Sequence, residues 1–299
     1  MPRDLRRAVA LVCGAARSSY SAILRRSPRP PGYRALGEFN GLYSLAPYYD
    51  IVFRRDVSPE IGFLKDLFRT CRGRSPASVI ELACGPGYHA RHFARCGLRA
   101  TGLDIRSEMI QFAAEEARRD NVDVEWVVGD MRDFPLSRPV DLALCLFWAL
   151  ESVLTEDDLV RHFRTVASHL TSDGLYVIEH GHPRELLQEE YGDYRYYGER
   201  DGCSVRIDWA TNHPQAPDPG TEIWSVDVTV TIREHGTERV TVDRARERFW
   251  LPEEIVEQAN RSGALRVREW YGDFRVDQPL DETPSSCRMV AVLEKTAAG

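Results

Sequence analysis

Lysine is almost missing from this chain. Among 39 basic residues only Lys65 and Lys295 are lysines, and the formal net charge is -7. An acidic protein gains little from counterion release on a phosphate backbone, so a general nucleic-acid binder is disfavoured. Arginine is uneven: Arg3, Arg6, Arg7, Arg17, Arg25, Arg26, Arg29 and Arg34 face only Asp4 before residue 35. That bias reads as arginine-favouring codon usage rather than a phosphate-reading surface. No apolar run approaches the roughly 18 residues of a membrane span. The short stretch from Ala8 to Ala16 is followed by Arg17, Arg25 and Arg26, so residues 1–40 read as an N-terminal arm or an overextended start. No CxxC pair occurs among the seven scattered cysteines, which excludes a zinc knuckle and fits a reduced, cytoplasmic chain better than a disulfide framework.

What is present is an alternation of strand and helix signals. Apolar runs at 77–84, 99–105, 124–130, 141–150 and 175–181 read as strands. Between them lie a helix ending at Gly97, one from Ser107, and one opened by Thr155 with Asp158 three residues on. An earlier helix starts at Ser58-Pro59 and presents Ile61, Leu64, Leu67 and Phe68. Asp173-Gly174 marks a break before the fifth strand. The expected fold class is α/β: a doubly wound sheet whose ligand crevice lies at the carboxyl ends of its parallel strands. Helix signals then fade, and Val226, Val228, Val230 and Ile232 alternate with polar residues before His235-Gly236. An inserted antiparallel β-sheet over 191–250 is expected, followed by a helix at 251–263 and two closing strands. The expected boundaries are a helical cap at 41–75, a core at 76–190, the insertion, and the rest of the core at 251–299.

The chemistry is concentrated in "IELACGPGYHA" at 80–90. A pyrophosphate turn normally reads GxGxxG; here Ala83 takes the first glycine position, Pro86 removes an amide and no third glycine follows. Glu81 suits a cation better than two phosphates. Asp104 ends the second strand, 19 positions beyond Gly85, where a carboxylate can accept from both hydroxyls of a ribose. Asp130, ending the third, can accept from an adenine amine, with Met131 on the purine face. A nicotinamide oxidoreductase is therefore disfavoured.

"VIELACGPGYHARHFARCG", "TGLDIRSEMI", "VVGDMRDFPL" and "DLALCLFWALESVL", in that order, resemble the successive motifs of class I S-adenosylmethionine-dependent methyltransferases, in their small-molecule, natural-product branch. The resemblance covers about residues 45–295 and implies a Rossmann-like seven-stranded sheet with a C-terminal antiparallel pair. It implies S-adenosylmethionine as cofactor and S-adenosylhomocysteine as product. Tyr49, Glu81, Ala83, Gly85, Gly87, Asp104, Ile105, Met109, Asp130, Met131 and Leu146 would then bind the cofactor. Tyr48, Phe147, Trp148, Trp209 and Trp224 would line the acceptor site. Glu151, His180 and His182 are candidates to orient or deprotonate the acceptor; the H-x-H pair lacks further ligands for a metal. The implied acceptor is a nucleophilic nitrogen or carbon of a small metabolite, either an aromatic, indole alkaloid-type compound or an amino-bearing one. An O-methyltransferase is the alternative, and a non-catalytic cofactor-binding scaffold is the alternative of another class. Neither nucleic acid nor membrane is an expected partner, and the insertion offers a surface for a homodimer.

Overall fold

The computed structural model describes residues 41–187, 194–209 and 222–296. The arm at 1–40 and the loop "NHPQAPDPG" lie outside the described residues. The chain divides into two compact units. Described residues 41–54 and 183–249 form the smaller, and 55–182 with 250 onward the larger. The stretch read as one cap over 41–75 holds two helices, α1 (Ala46–Phe53) in the small unit and α2 (Ser58–Arg72) in the large.

The large unit is built on seven strands. β1 (Ser78–Leu82), β2 (Arg99–Asp104), β3 (Glu125–Val128), β4 (Val140–Cys145) and β5 (Leu170–Gly181) pair in parallel. β10 (Leu265–Tyr271) and β11 (Arg288–Lys295) close the sheet, whose order is β10-β11-β5-β4-β1-β2-β3. β11 runs antiparallel to both neighbours. The helices are α2, α3 (Tyr88–Arg95), α4 (Ser107–Arg119), α5 (Glu156–His169) and α6 (Pro252–Ser262). Every residue of β1 and β4 is buried, as a parallel sheet covered on both faces requires. Ile61, Leu64, Leu67 and Phe68 of α2 are buried against this core, so the expected apolar face is the packed one. Thr155 caps α5 by accepting from the Asp158 N–H at 3.1 Å.

Two element boundaries differ from expectation. The fifth strand starts at Leu170, not 175, because Asp173-Gly174 is absorbed as an irregularity between the pairs Val140–Leu170 and Leu142–Leu175. Arg74 holds that irregularity, binding Asp141 and Asp173 at 2.8 Å each. The fourth strand ends at Cys145, not at 150. Phe147 and Trp148 take left-handed backbone angles (φ 54° and 59°), and a single 3-10 turn follows at Ala149–Ser152.

In the small unit β6 (Tyr194–Arg200), β7 (Cys203–Trp209), β8 (Ile223–Glu234) and β9 (Thr237–Arg248) form an antiparallel meander. His235 and Gly236 both have positive φ, the geometry of a tight hairpin turn matched to strand twist. Val205, Ile207, Val226, Val228, Val230, Ile232 and Ala245 make one apolar face, and side chains of α1 pack on it. Asp50 of α1 is fully buried and is paired with Arg54 and with Arg200 of β6.

Candidate active site

The carboxyl ends of β1, β2 and β3 bring Glu81, Asp104 and Asp130 to one edge of the large unit's sheet. Between β1 and α3 the chain turns through Ala83, Gly85 and Gly87, all with positive φ. Ala83 adopts this conformation with a Cβ, at a cost of about 1–2 kcal/mol. Asp104 ties the turn to its own strand. One oxygen accepts from the Gly85 N–H and the other from the Arg106 N–H, each at 2.8 Å. Burial pushes the Asp104 carboxyl above its usual range, although the two N–H groups pull it back.

The two glycines of the turn do different things. A Cβ on Gly85 would meet nothing within 4 Å, so the backbone there lies under open space. A Cβ on Gly87 would lie 2.4 Å from the Trp126 indole. Gly87 therefore serves close packing inside the protein. Glu81 is also turned inward: one oxygen meets His89 Nδ1 and the other accepts from the Ala90 N–H, both at 2.8 Å. It organises the first turn of α3, and both oxygens are already engaged there.

Beyond β2, Ile105 is 60% exposed, an unusual position for a large apolar side chain. Met131 and Leu146 are buried, and Met109 is in the packed interior at 1% exposure. Asp130 is held by Arg132 through its backbone N–H and its guanidinium, the closest approach being 2.6 Å. Burial alone would push the Asp130 carboxyl up, but these Arg132 contacts outweigh it and leave it below the usual range.

Glu179, which the sequence reading did not single out, shapes the loop after β4. It accepts from the Phe147 N–H at 2.8 Å and from Arg288 at 2.6 Å. The Phe147 and Trp148 rings are stacked with 6.1 Å between centroids, and the guanidinium of Arg55 lies 5.7 Å from the Phe147 centroid. An acid following "LYVI" in a buried strand is the signal that could have found it.

The candidate histidines are not displayed. His180 is fully buried, its Nε2 accepts from the Trp250 N–H at 3.3 Å, and burial pulls its pKa down to about 3. Glu151 comes within 3.7 Å of that Nε2, but a neutral imidazole makes no ion pair. His182 Nε2 meets the Asp281 carbonyl oxygen at 2.9 Å. Among the described residues no group of His, Cys, Asp and Glu is arranged to hold a metal.

A third histidine, His162, joins the site from behind. Its Nδ1 lies 2.7 Å from the Met131 carbonyl oxygen and its Nε2 2.6 Å from the Tyr176 hydroxyl. Burial lowers its pKa to about 4 from 6.5. For His162 and His180 the folded value is below the unfolded one, so stability is lost as pH falls below about 6.5 toward the folded values. The expected loss by about pH 5 is about 2 kcal/mol for each. Urea unfolding near neutrality and at that lower pH checks it, and a His162→Gln chain that keeps the full pH dependence contradicts it.

Tyr48, Tyr49, Trp209 and Trp224 belong to the small unit. The Tyr48 hydroxyl donates to Glu234 at 2.8 Å, and the Tyr49 ring lies 4.5 Å from that of Phe53. Trp209 and Trp224 pack against the apolar face of the sheet.

Residues 79–174 match the family described as a methyltransferase domain. Over 137 residues the chain is 32% identical to a dTDP-3-amino-3,6-dideoxy-alpha-D-glucopyranose N,N-dimethyltransferase of Streptomyces fradiae, covering 45% of this chain and 52% of that one. It is 34% identical, over 45% of its length and 53% of the relative's, to a dTDP-4-amino-2,3,4,6-tetradeoxy-D-glucose N,N-dimethyltransferase of Saccharopolyspora spinosa. The chain thus spans about half the length of the curated relatives it matches. In fold it is similar to an S-adenosylmethionine-dependent methyltransferase from Clostridium acetobutylicum, with TM-score 0.68, 17% identity and coverage of 85% and 99%. Residues 79–174 thus carry the match to a methyltransferase domain, and the strand order and the acid at each of three strand ends agree with it.

Proposed function

We propose that the chain transfers a methyl group from S-adenosylmethionine to the amino nitrogen of a small molecule, an amino sugar carried on a nucleotide. The observation that carries the cofactor half is Asp104 beside Gly85. Each carboxylate oxygen accepts one backbone N–H and keeps a lone pair for a ribose hydroxyl. The open space over Gly85 suits a ligand lying on the turn, and exposed Ile105 suits an adenine face. Asp130, already oriented by Arg132, has room to accept from the adenine amine, and Met131 and Leu146 back the pocket.

When bound, S-adenosylmethionine supplies an electrophilic methyl on a cationic sulfur. The chain's contribution is then to hold the acceptor in line and to exclude water. A neutral amine already has its lone pair, whereas a hydroxyl benefits from a base. His180 and His182 are both buried and already engaged, which favours nitrogen over oxygen. The acceptors in the relatives' names are amino sugars rather than aromatic alkaloids, which supports the amino-bearing class.

The test uses the whole chain with deuteromethyl-labelled cofactor and dTDP-3-amino-3,6-dideoxyglucose. Labelled methyl on the sugar nitrogen is expected, with matching release of S-adenosylhomocysteine. Label on a sugar oxygen would move the reading to O-methylation. Cofactor binding without turnover on any amino sugar nucleotide would leave a scaffold.

A further inference from the structure

Glu247 is a carboxylate in an unusual place. On β8 and β9 the pairs Val226–Ala245 and Trp224–Glu247 are successive same-face pairs, so Glu247 projects on the apolar face of the small sheet. Trp224 is directly across from it. The Trp209 indole reaches diagonally from β7 and donates from Nε1 to Glu247 Oε2 at 3.5 Å. Among the described residues this long hydrogen bond is its only partner, and no cation pairs with it. The same-face charges further along β9 are committed elsewhere: Asp243 accepts from the Gly41 N–H, and Arg239 lies over the Tyr48 ring. Burial pushes the Glu247 carboxyl up to about 7, the Trp209 N–H pulling the other way.

A half-buried carboxylate without a counter-charge is costly, because desolvation penalises its charged form. A cationic ligand removes that cost. Indole rings attract cations electrostatically, and an alkylammonium paired with Glu247 beside them gains both that attraction and a charge-assisted hydrogen bond. We propose that Glu247, Trp209 and Trp224 form a binding site for the protonated amino group of an amine ligand. The site lies within the small unit and binds the ammonium form; such a nitrogen accepts a methyl group only after losing its proton, so the site stands independently of the methyl-transfer reading.

The experiment measures benzylamine and benzyl alcohol binding to the whole chain by intrinsic tryptophan fluorescence and calorimetry. Wild type is expected to bind the amine at least about tenfold more tightly than the alcohol. Glu247→Gln is expected to bring the two together while leaving S-adenosylmethionine binding unchanged. Trp224→Leu and Trp209→Leu should each weaken the amine more than the alcohol. Equal binding of amine and alcohol by wild type overturns the proposal, and so does a Glu247→Gln chain that keeps the preference. Should Glu247→Gln fail to fold, the wild-type ratio and Trp224→Leu still decide. Amine preference without labelled sugar product would sink the acceptor reading and leave the site standing.

Discussion

Asp104→Ala is expected to weaken S-adenosylmethionine binding by at least about 100-fold, since two charge-assisted hydrogen bonds to a ribose contribute about 1.5–3 kcal/mol each. The substitution removes more than ribose acceptors. It also releases the Gly85 and Arg106 N–H groups, the two points by which the carboxylate fixes the turn after β1 and the entry to α4. Asp104→Asn separates the roles, because its amide oxygen can keep one backbone bond while the charge is lost. Calorimetry with the cofactor and melting without it report the two effects separately. If Asp104→Ala melts normally and still binds like wild type, the ribose assignment is wrong.

Gly87→Ala is expected to destabilise the large unit by about 2–4 kcal/mol, the sum of a left-handed backbone penalty and overpacking. The new methyl would sit 2.4 Å from Trp126, a rigid side chain that also covers Gly102. Relief should come from the other partner. Trp126→Leu in the Gly87→Ala background should recover part of the loss, making the pair non-additive in urea unfolding. Strict additivity would mean that the backbone angle alone carries the cost. The sequence placed the residue in the turn after β1 and assigned it to the cofactor; its contact with Trp126 was not legible, because nothing in a sequence aligns β3 with the β1–α3 turn.

That contrast recurs through the molecule. The seven strands of the large sheet, five of the six α-helices of the described residues and the antiparallel insertion were legible, because burial on both faces, helical periodicity and alternation each leave a distinct pattern; the short helix Ala46–Phe53 was merged with its neighbour into one cap. The acid at each strand end was legible for the same reason: strand ends are where apolar runs stop. Partners were not. Glu81 read as meeting a cation, and the fold gives both its oxygens to α3. Glu179 passed unremarked, because its role depends on the left-handed backbone of Phe147 across a neighbouring strand. His180 and His182 looked displayed at a strand end, but α6's entry at Trp250 and the Asp281 carbonyl close over them.

The place of β11 sets an order of events during synthesis. β11 lies between β5 and β10, so β10 has no sheet neighbour until residues 288–295 emerge from the ribosome. Until then β5 presents a bare hydrogen-bonding edge lined by Leu175, Tyr176, Val177 and Ile178. Such an edge is a template for pairing with another nascent chain. The small unit has no such wait, since all its strands are complete by residue 249. Nascent chains stalled between residues 250 and 287 should therefore be the aggregation-prone ones.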